Sequence, residues 1–151
     1  MDFKALNSFL SEENIRRHEE YLNNLRLKLS ILEKSDPSAM RICSQMKREE
    51  SELIKEIKSH ELFFDSFTQE QGAGHDRERY EIYCRSLDRE YGFLYIYYDR
   101  GIKTGFDMPR VEKCLCIDLY EHCYFLDYGF KKDKFLKNCI SHLDLARLLD
   151  N

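Results

Sequence analysis

The chain has 151 residues, 42% hydrophobic and 34% charged, with a formal net charge of -4. That length suits one domain, burying about two-thirds of the unfolded surface, and the apolar content excludes a disordered chain. The acidic balance lacks the basic face that nucleic-acid binding needs, and no apolar run approaches the roughly 20 residues of a bilayer span.

Ser11 makes a good N-cap, and Glu12 and Glu13 complement the positive end of the helix dipole in the first turn. Ile15, His18, Leu22, Leu25, Leu29 and Leu32 then recur at alternating steps of three and four. This predicts one apolar stripe on a helix of about 22 residues. Ser35-Asp36-Pro37-Ser38 breaks that helix, and Pro37 suits the first turn of the next. The second helix carries Met46, Leu53, Ile57, His60, Phe64 and Phe67 on one face and is expected to run to Gly72-Ala73-Gly74. Two matched stripes and a short connection predict an antiparallel hairpin.

Asp76 to Leu87 predicts a short helix with Tyr80, Cys84 and Leu87 on one side. Tyr91 to Tyr98 is rich in β-formers and predicts a strand, followed by a turn at Asp99-Arg100-Gly101. A weaker strand is expected over Ile102 to Phe106 and another over Cys114 to Tyr120. After Glu121 the chain returns to helix through Phe135, Leu136, Cys139 and Leu143. Helices, a small antiparallel sheet and helices again make an α+β order. The expected organisation is an N-terminal α-helical hairpin region at 1–70 and a C-terminal α/β region at 71–151, folded as one compact unit.

The opening MDFKALNSFLSEEN is acidic and argues against a secretory or organelle leader, so the cytoplasm is the expected compartment. Six cysteines with no C-x-x-C pair then read as small buried hydrophobes. Cys114 and Cys116, two apart, would share one face of a strand. The histidines are more informative. His18 and His60 interrupt the apolar stripes of the two long helices, and burying a bare imidazole is costly. Each therefore needs a hydrogen bond, a metal, or a stripe that stays partly open. Facing helices would bring both into one core. Asp118 and His122 are four apart: they form either an ordinary carboxylate–imidazole pair or two ligands of one ion. Three nitrogens and one oxygen around an open position suit redox-active Mn or Fe better than a thiolate-loving ion.

Asp118-Leu119-Tyr120-Glu121-His122-Cys123-Tyr124-Phe125-Leu126-Asp127-Tyr128 resembles the closing signature of the iron/manganese superoxide dismutases, D-x-W-E-H-A-Y-Y-x-x-Y. His18 after Ser11-Glu12-Glu13-Asn14 is similar to that family's I-S-x-E-T-x-x-x-H. His60-Glu61-Leu62-Phe63-Phe64 is similar to H-x-x-F/Y-W, and Gly92-Phe93-Leu94-Tyr95 to G-W-x-W. The resemblance implies one Mn or Fe ion per chain, held by His18, His60, Asp118 and His122. It implies disproportionation of superoxide to oxygen and hydrogen peroxide. It also implies a homodimer through Glu121 and His122, and a gateway hydroxyl on Tyr21 that relays protons. Lys131 and Lys132 would either steer the anion or be plain surface lysines.

The family pattern is not fully kept. His18-Glu19-Glu20-Tyr21 is compressed, so His18 matches either the ligand or the later gateway His beside Tyr21, which would leave the ligand slot near Glu13. Helix phase favours His18 as the ligand, because it shares the stripe of Ile15 and Leu22 while Glu13 does not. Glu56 takes the place of a Gln that in iron-type enzymes hydrogen-bonds the metal-bound solvent, and Gly105-Phe106-Asp107-Met108-Pro109 supplies no Gln either. Glu56 would either accept from the solvent or shift the potential by its charge. The chain contains no Trp, so Phe64, Phe93, Tyr95 and Tyr120 would have to line the site. These departures leave a second expectation, a non-catalytic protein of this fold acting as a structural or interaction subunit.

Overall fold

The computed structural model describes residues 3–34 and 44–149. The expected turn at Ser35-Asp36-Pro37-Ser38, Cys43 and the side chain of Met46 lie outside the described residues. After a 3-10 turn at Leu6–Ser8, helix α1 runs Glu12–Glu33 and helix α2 Ser44–Phe64. Ser11 caps α1 as its sequence predicts, its side chain accepting from the Asn14 amide. The α1 stripe is buried at Ile15, His18, Leu22 and Leu25 and opens at Leu29 and Leu32, so the helix is packed mainly along its first four turns.

Helix α2 stops eight residues short of the expected glycines. Tertiary pairing ends it: Phe67 bridges Leu143, the Thr68 amide donates to the His142 carbonyl and the Asp144 amide to the Ser66 carbonyl. Ser66 Oγ also accepts from the Cys116 amide at 2.7 Å, which ties this break to the sheet. Helix α2 is buried on two sides, so Ser59 and Phe63, off the expected stripe, are fully enclosed.

Helix α3 (Asp76–Ser86) is turned the other way from its sequence pattern. Tyr80, Cys84 and Leu87 do share a side, but it faces solvent, while Ile82 and Ser86 point into the core. The sheet has the order β2-β1-β3, all antiparallel, from β1 (Phe93–Tyr98), β2 (Ile102–Gly105) and β3 (Cys114–Asp118). Strand β3 ends two residues before the expected Tyr120, and β2 one residue before Phe106. The β1–β3 register sets Phe93 opposite Asp118 and Tyr95 opposite Cys116. Directly paired residues point to the same face, so Phe93 and Asp118 share the side on which Tyr95, Cys116 and Cys114 pack with Leu62 of α2. The other face carries Leu94, Ile96, Leu115 and Ile117 into the main core.

The last helical stretch is three pieces, α4 (Glu121–Tyr128), α5 (Lys132–Ser141) and α6 (Leu145–Leu149). Gly129 breaks it with φ +57° and ψ -127°, a backbone that a residue with a Cβ resists. The main hydrophobic core runs from Leu6 to Leu148 and draws on each of the described helices. Helices and a small antiparallel sheet confirm the α+β reading.

Candidate metal centre

The ends of four elements converge at one point. His18 comes from the second turn of α1, His60 from the last turns of α2, Asp118 from the end of β3 and His122 from the first turn of α4. One ligating atom of each lies within 4.8 Å of every other. The three imidazole Nε2 atoms all face the same carboxylate oxygen, Asp118 Oδ2, at 3.2 Å (His18), 3.6 Å (His60) and 3.1 Å (His122). His18, His60 and Asp118 are buried, whereas the His122 side chain is 40% exposed. Glu13 stands outside, exposed and paired with Arg16 and Arg17 at 2.9 and 3.0 Å. Of the two registers open on α1, the fold brings His18 to the cluster.

Local structure orients two of the four donors. Asp118 Oδ1 accepts from the Tyr120 amide at 2.9 Å, which turns the strand into α4 and leaves Oδ2 for the imidazoles. His60 Nδ1 donates to the Glu56 carbonyl one turn back at 2.9 Å, leaving Nε2 as the lone-pair nitrogen. That Nε2 is buried with no hydrogen-bond partner, as is His18 Nδ1. An orphaned, buried imidazole nitrogen aimed into a group of donors is what a metal would satisfy. Two donors sharing an ion at bonds of about 2.0–2.2 Å stand near the 3.1–3.6 Å separations seen around Asp118 Oδ2. The residues fit Mn or Fe.

The electrostatics agree. Burial alone would raise the Asp118 carboxyl, but hydrogen bonds from His122 and His18 outweigh it and hold the group ionised, well below the usual carboxylate range. Burial lowers the His60 imidazole, and the Asp118 charge offsets this only in part, so the ring is neutral at its ligating nitrogen. Burial also opposes charge on His122, but its bond to Asp118 prevails and raises it. Ligands must be deprotonated to bind, so His122 would have to give up the proton it holds toward Asp118 to serve as one.

Aromatic rings wall the donors. Phe64 meets His18 edge-on at 5.9 Å, Phe93 meets His60 at 5.1 Å, and Tyr120 stacks on His122 at 5.4 Å. Tyr95 is set back: its ring touches Phe93, and its hydroxyl bonds Ser59 Oγ at 2.5 Å. Phe63, which the stripe pattern passed over, lies against His18 at 5.6 Å. Tyr21 packs on both His60 and His122, at 5.3 and 5.1 Å, and its hydroxyl donates to Glu56 Oε1 at 2.7 Å. Burial and then that carboxyl push the Tyr21 phenol above its ordinary range, so it keeps its proton. Two clefts flank the cluster. One, of about 330 Å³, is lined by His18, Tyr21, His122, Asn14, Phe125 and Leu126. The other, of about 370 Å³, is lined by residues around the donors, Glu56, Ser59, Phe93 and Tyr120 among them, and by none of the four donors themselves.

The remaining histidines do not join. His142 is buried against the Thr68 carbonyl, and His75 starts α3 with left-handed backbone.

A family model for iron/manganese superoxide dismutases, C-terminal domain, matches residues 49–150. The chain belongs to the iron/manganese superoxide dismutase family. The match holds His60, Asp118, His122 and Glu56. His18 and Tyr21 come from the segment before it, and the packing of α1 on α2 delivers them to the same point. No curated protein matches the chain.

Proposed function

We propose that this protein is a superoxide dismutase with one Mn or Fe ion per chain, held by His18, His60, Asp118 and His122. The observation that carries the reading is the convergence of three imidazole Nε2 atoms on a single buried carboxylate oxygen. A bound Mn or Fe ion would supply the one-electron chemistry by which two superoxide anions and two protons become oxygen and hydrogen peroxide. Asp118 is the one anionic ligand, so the site keeps net positive charge and draws a small anion even into an acidic protein. Tyr21 holds a proton at its hydroxyl beside the open cleft, and Glu56 orients that hydroxyl. The rings of Phe64 and Phe93 help to keep bulk water from His18 and His60, while His122 stays partly open. The homodimer belongs to the proposal: Glu121 and His122 lie at the surface beside the exposed apolar side chains of Phe125 and Leu126. So does the cytoplasm, whose reducing conditions suit the free thiols of Cys84, Cys114, Cys116, Cys123 and Cys139.

Glu56 in the family's Gln position and the absence of Trp favour a second reading, a non-catalytic subunit of the same fold. Metal analysis of protein purified without added metal separates the two. Near one Mn or Fe per chain, lost in His60→Ala and accompanied by superoxide dismutation, supports the enzyme. A folded protein without metal sinks it. Metal without dismutation favours the subunit.

A further inference from the structure

The four-donor reading leaves one problem. His18 rides on a helix that begins outside the family-matched residues, and helix packing alone tolerates small slides of α1 along α4. A polar lock stands at this place. Asn14 is one turn before His18 on the same face of α1 and is 1% exposed. Its side-chain Nδ2 donates to the Cys123 carbonyl at 2.8 Å and to Asp127 Oδ2 at 2.9 Å. Cys123 is the residue after His122. The same Asp127 oxygen accepts from the Ser11 amide at 2.8 Å, so a carboxylate of α4 meets the N-terminal end of α1. Farther along, Tyr128 donates to the Phe9 carbonyl at 2.5 Å. Both protons of the Asn14 amide are thus spent on α4, and Asp127 Oδ2 serves two donors of α1. A buried amide with those bonds is costly to displace.

We propose that Asn14 and Asp127 form a clamp that sets α1 against α4 and thereby fixes the His18–His122 separation on which metal affinity depends. Asn14 and Asp127 are positioning residues: their hydrogen bonds go to Cys123, Ser11 and each other and to none of the four donors. Asn14 also lines the cleft that opens on His18 and His122, so the clamp shapes the mouth of the site as well. The inference rests on the metal-site reading. It adds that a site split between α1 and the rest of the chain is assembled by a side-chain bond on each side of it, not by helix packing alone.

Five variants test it, the Asn14→Ala/Asp127→Ala double among them, with Mn2+ or Co2+ alone as the probe and amide hydrogen exchange as a metal-free readout. Asn14→Ala and Asp127→Ala should each weaken metal binding about tenfold, within the range for residues that orient ligands. They should speed exchange across residues 12–18 and change the Co2+ visible spectrum. Asp127→Asn, which keeps an acceptor oxygen, should restore most of the affinity. Ile82→Ala, a core change on α3 that touches none of the clamp's hydrogen bonds, should lower stability yet leave metal affinity unchanged. The Asn14→Ala and Asp127→Ala losses should not add, because either change opens the same lock. Wild-type affinity in Asn14→Ala, or unchanged exchange at 12–18, overturns the clamp. So does an equal loss of affinity in Ile82→Ala, because that would trace the effect to general destabilisation. A wild-type protein that takes up no metal overturns the four-donor reading instead, and exchange at 12–18 then decides the clamp by itself.

Discussion

The inner cluster and the ring of side chains around it depart from the family pattern to very different degrees. In the inner four, three imidazoles and one carboxylate meet, and backbone groups orient His60 and Asp118. The surrounding ring has been rebuilt. In a chain without Trp, rings of Phe and Tyr close on the imidazoles, and Glu56 accepts from the Tyr21 hydroxyl. The difference teaches which demands are strict. A metal needs fixed donor types in a fixed geometry. The ring needs only to be apolar, close-packed and able to hold one hydroxyl, and several residue types satisfy that.

The largest expected effect breaks the inner cluster. Asp118→Ala should abolish metal uptake and cost the metal-free protein about 3 kcal/mol. That is the low end of the loss on breaking a buried pair, because the three imidazoles left behind can stay neutral. Urea unfolding with a chelator present measures the second part, and an unchanged midpoint would mean that Asp118 contributes nothing to the fold. Next comes His18→Ala against Glu13→Ala. Loss of His18 should remove the metal. Glu13 makes only exposed ion pairs, which solvent screens, so its loss should leave both metal content and stability almost unchanged. Metal retained in His18→Ala and lost in Glu13→Ala would reverse the register on α1.

The ring gives subtler effects. Glu56→Gln keeps an acceptor for Tyr21 and removes a negative charge beside the cluster. Metal content should stay the same while the midpoint potential rises, since a nearby anion favours the higher oxidation state. A redox titration checks this, and an unmoved potential would show that the Glu56 charge does not reach the metal.

Much of the inner cluster was legible in the sequence because its constraint is local or periodic. His18 and His60 betray themselves as polar residues inside apolar stripes, and Asp118 with His122 as a short-range pair. What the sequence hid is what tertiary pairing decides. Helix α2 ends at Phe64 because the chain turns to pair with residues 142–144, and nothing in Asp65 to Gln71 announces that partner. Helix α3 shows Tyr80 and Leu87 to solvent because burying Ile82, with Arg79 reaching the Ile140 and Leu143 carbonyls, turns the helix. Periodicity finds a face and not the direction in which it points. Phe63 was missed for a related reason: a helix covered on two sides carries buried residues off its main stripe. Asn14 reads as an ordinary polar residue near a helix start, and only the fold brings Cys123 and Asp127 to it.

The smallest effect on the chain itself is expected at Glu121. It lies exposed in the first turn of α4, where a carboxylate favours the helix dipole weakly, so Glu121→Ala should cost the isolated chain about 0.5 kcal/mol. Its effect on association should be larger, because a surface carboxylate next to a partly open imidazole is placed to bond a second copy. Sedimentation across a concentration series would show the variant dissociating at higher concentration than the wild type. An unchanged oligomeric state would put Glu121 among the replaceable residues of the outer ring and leave His122 open to solvent for another reason, access to the cleft it shares with Tyr21.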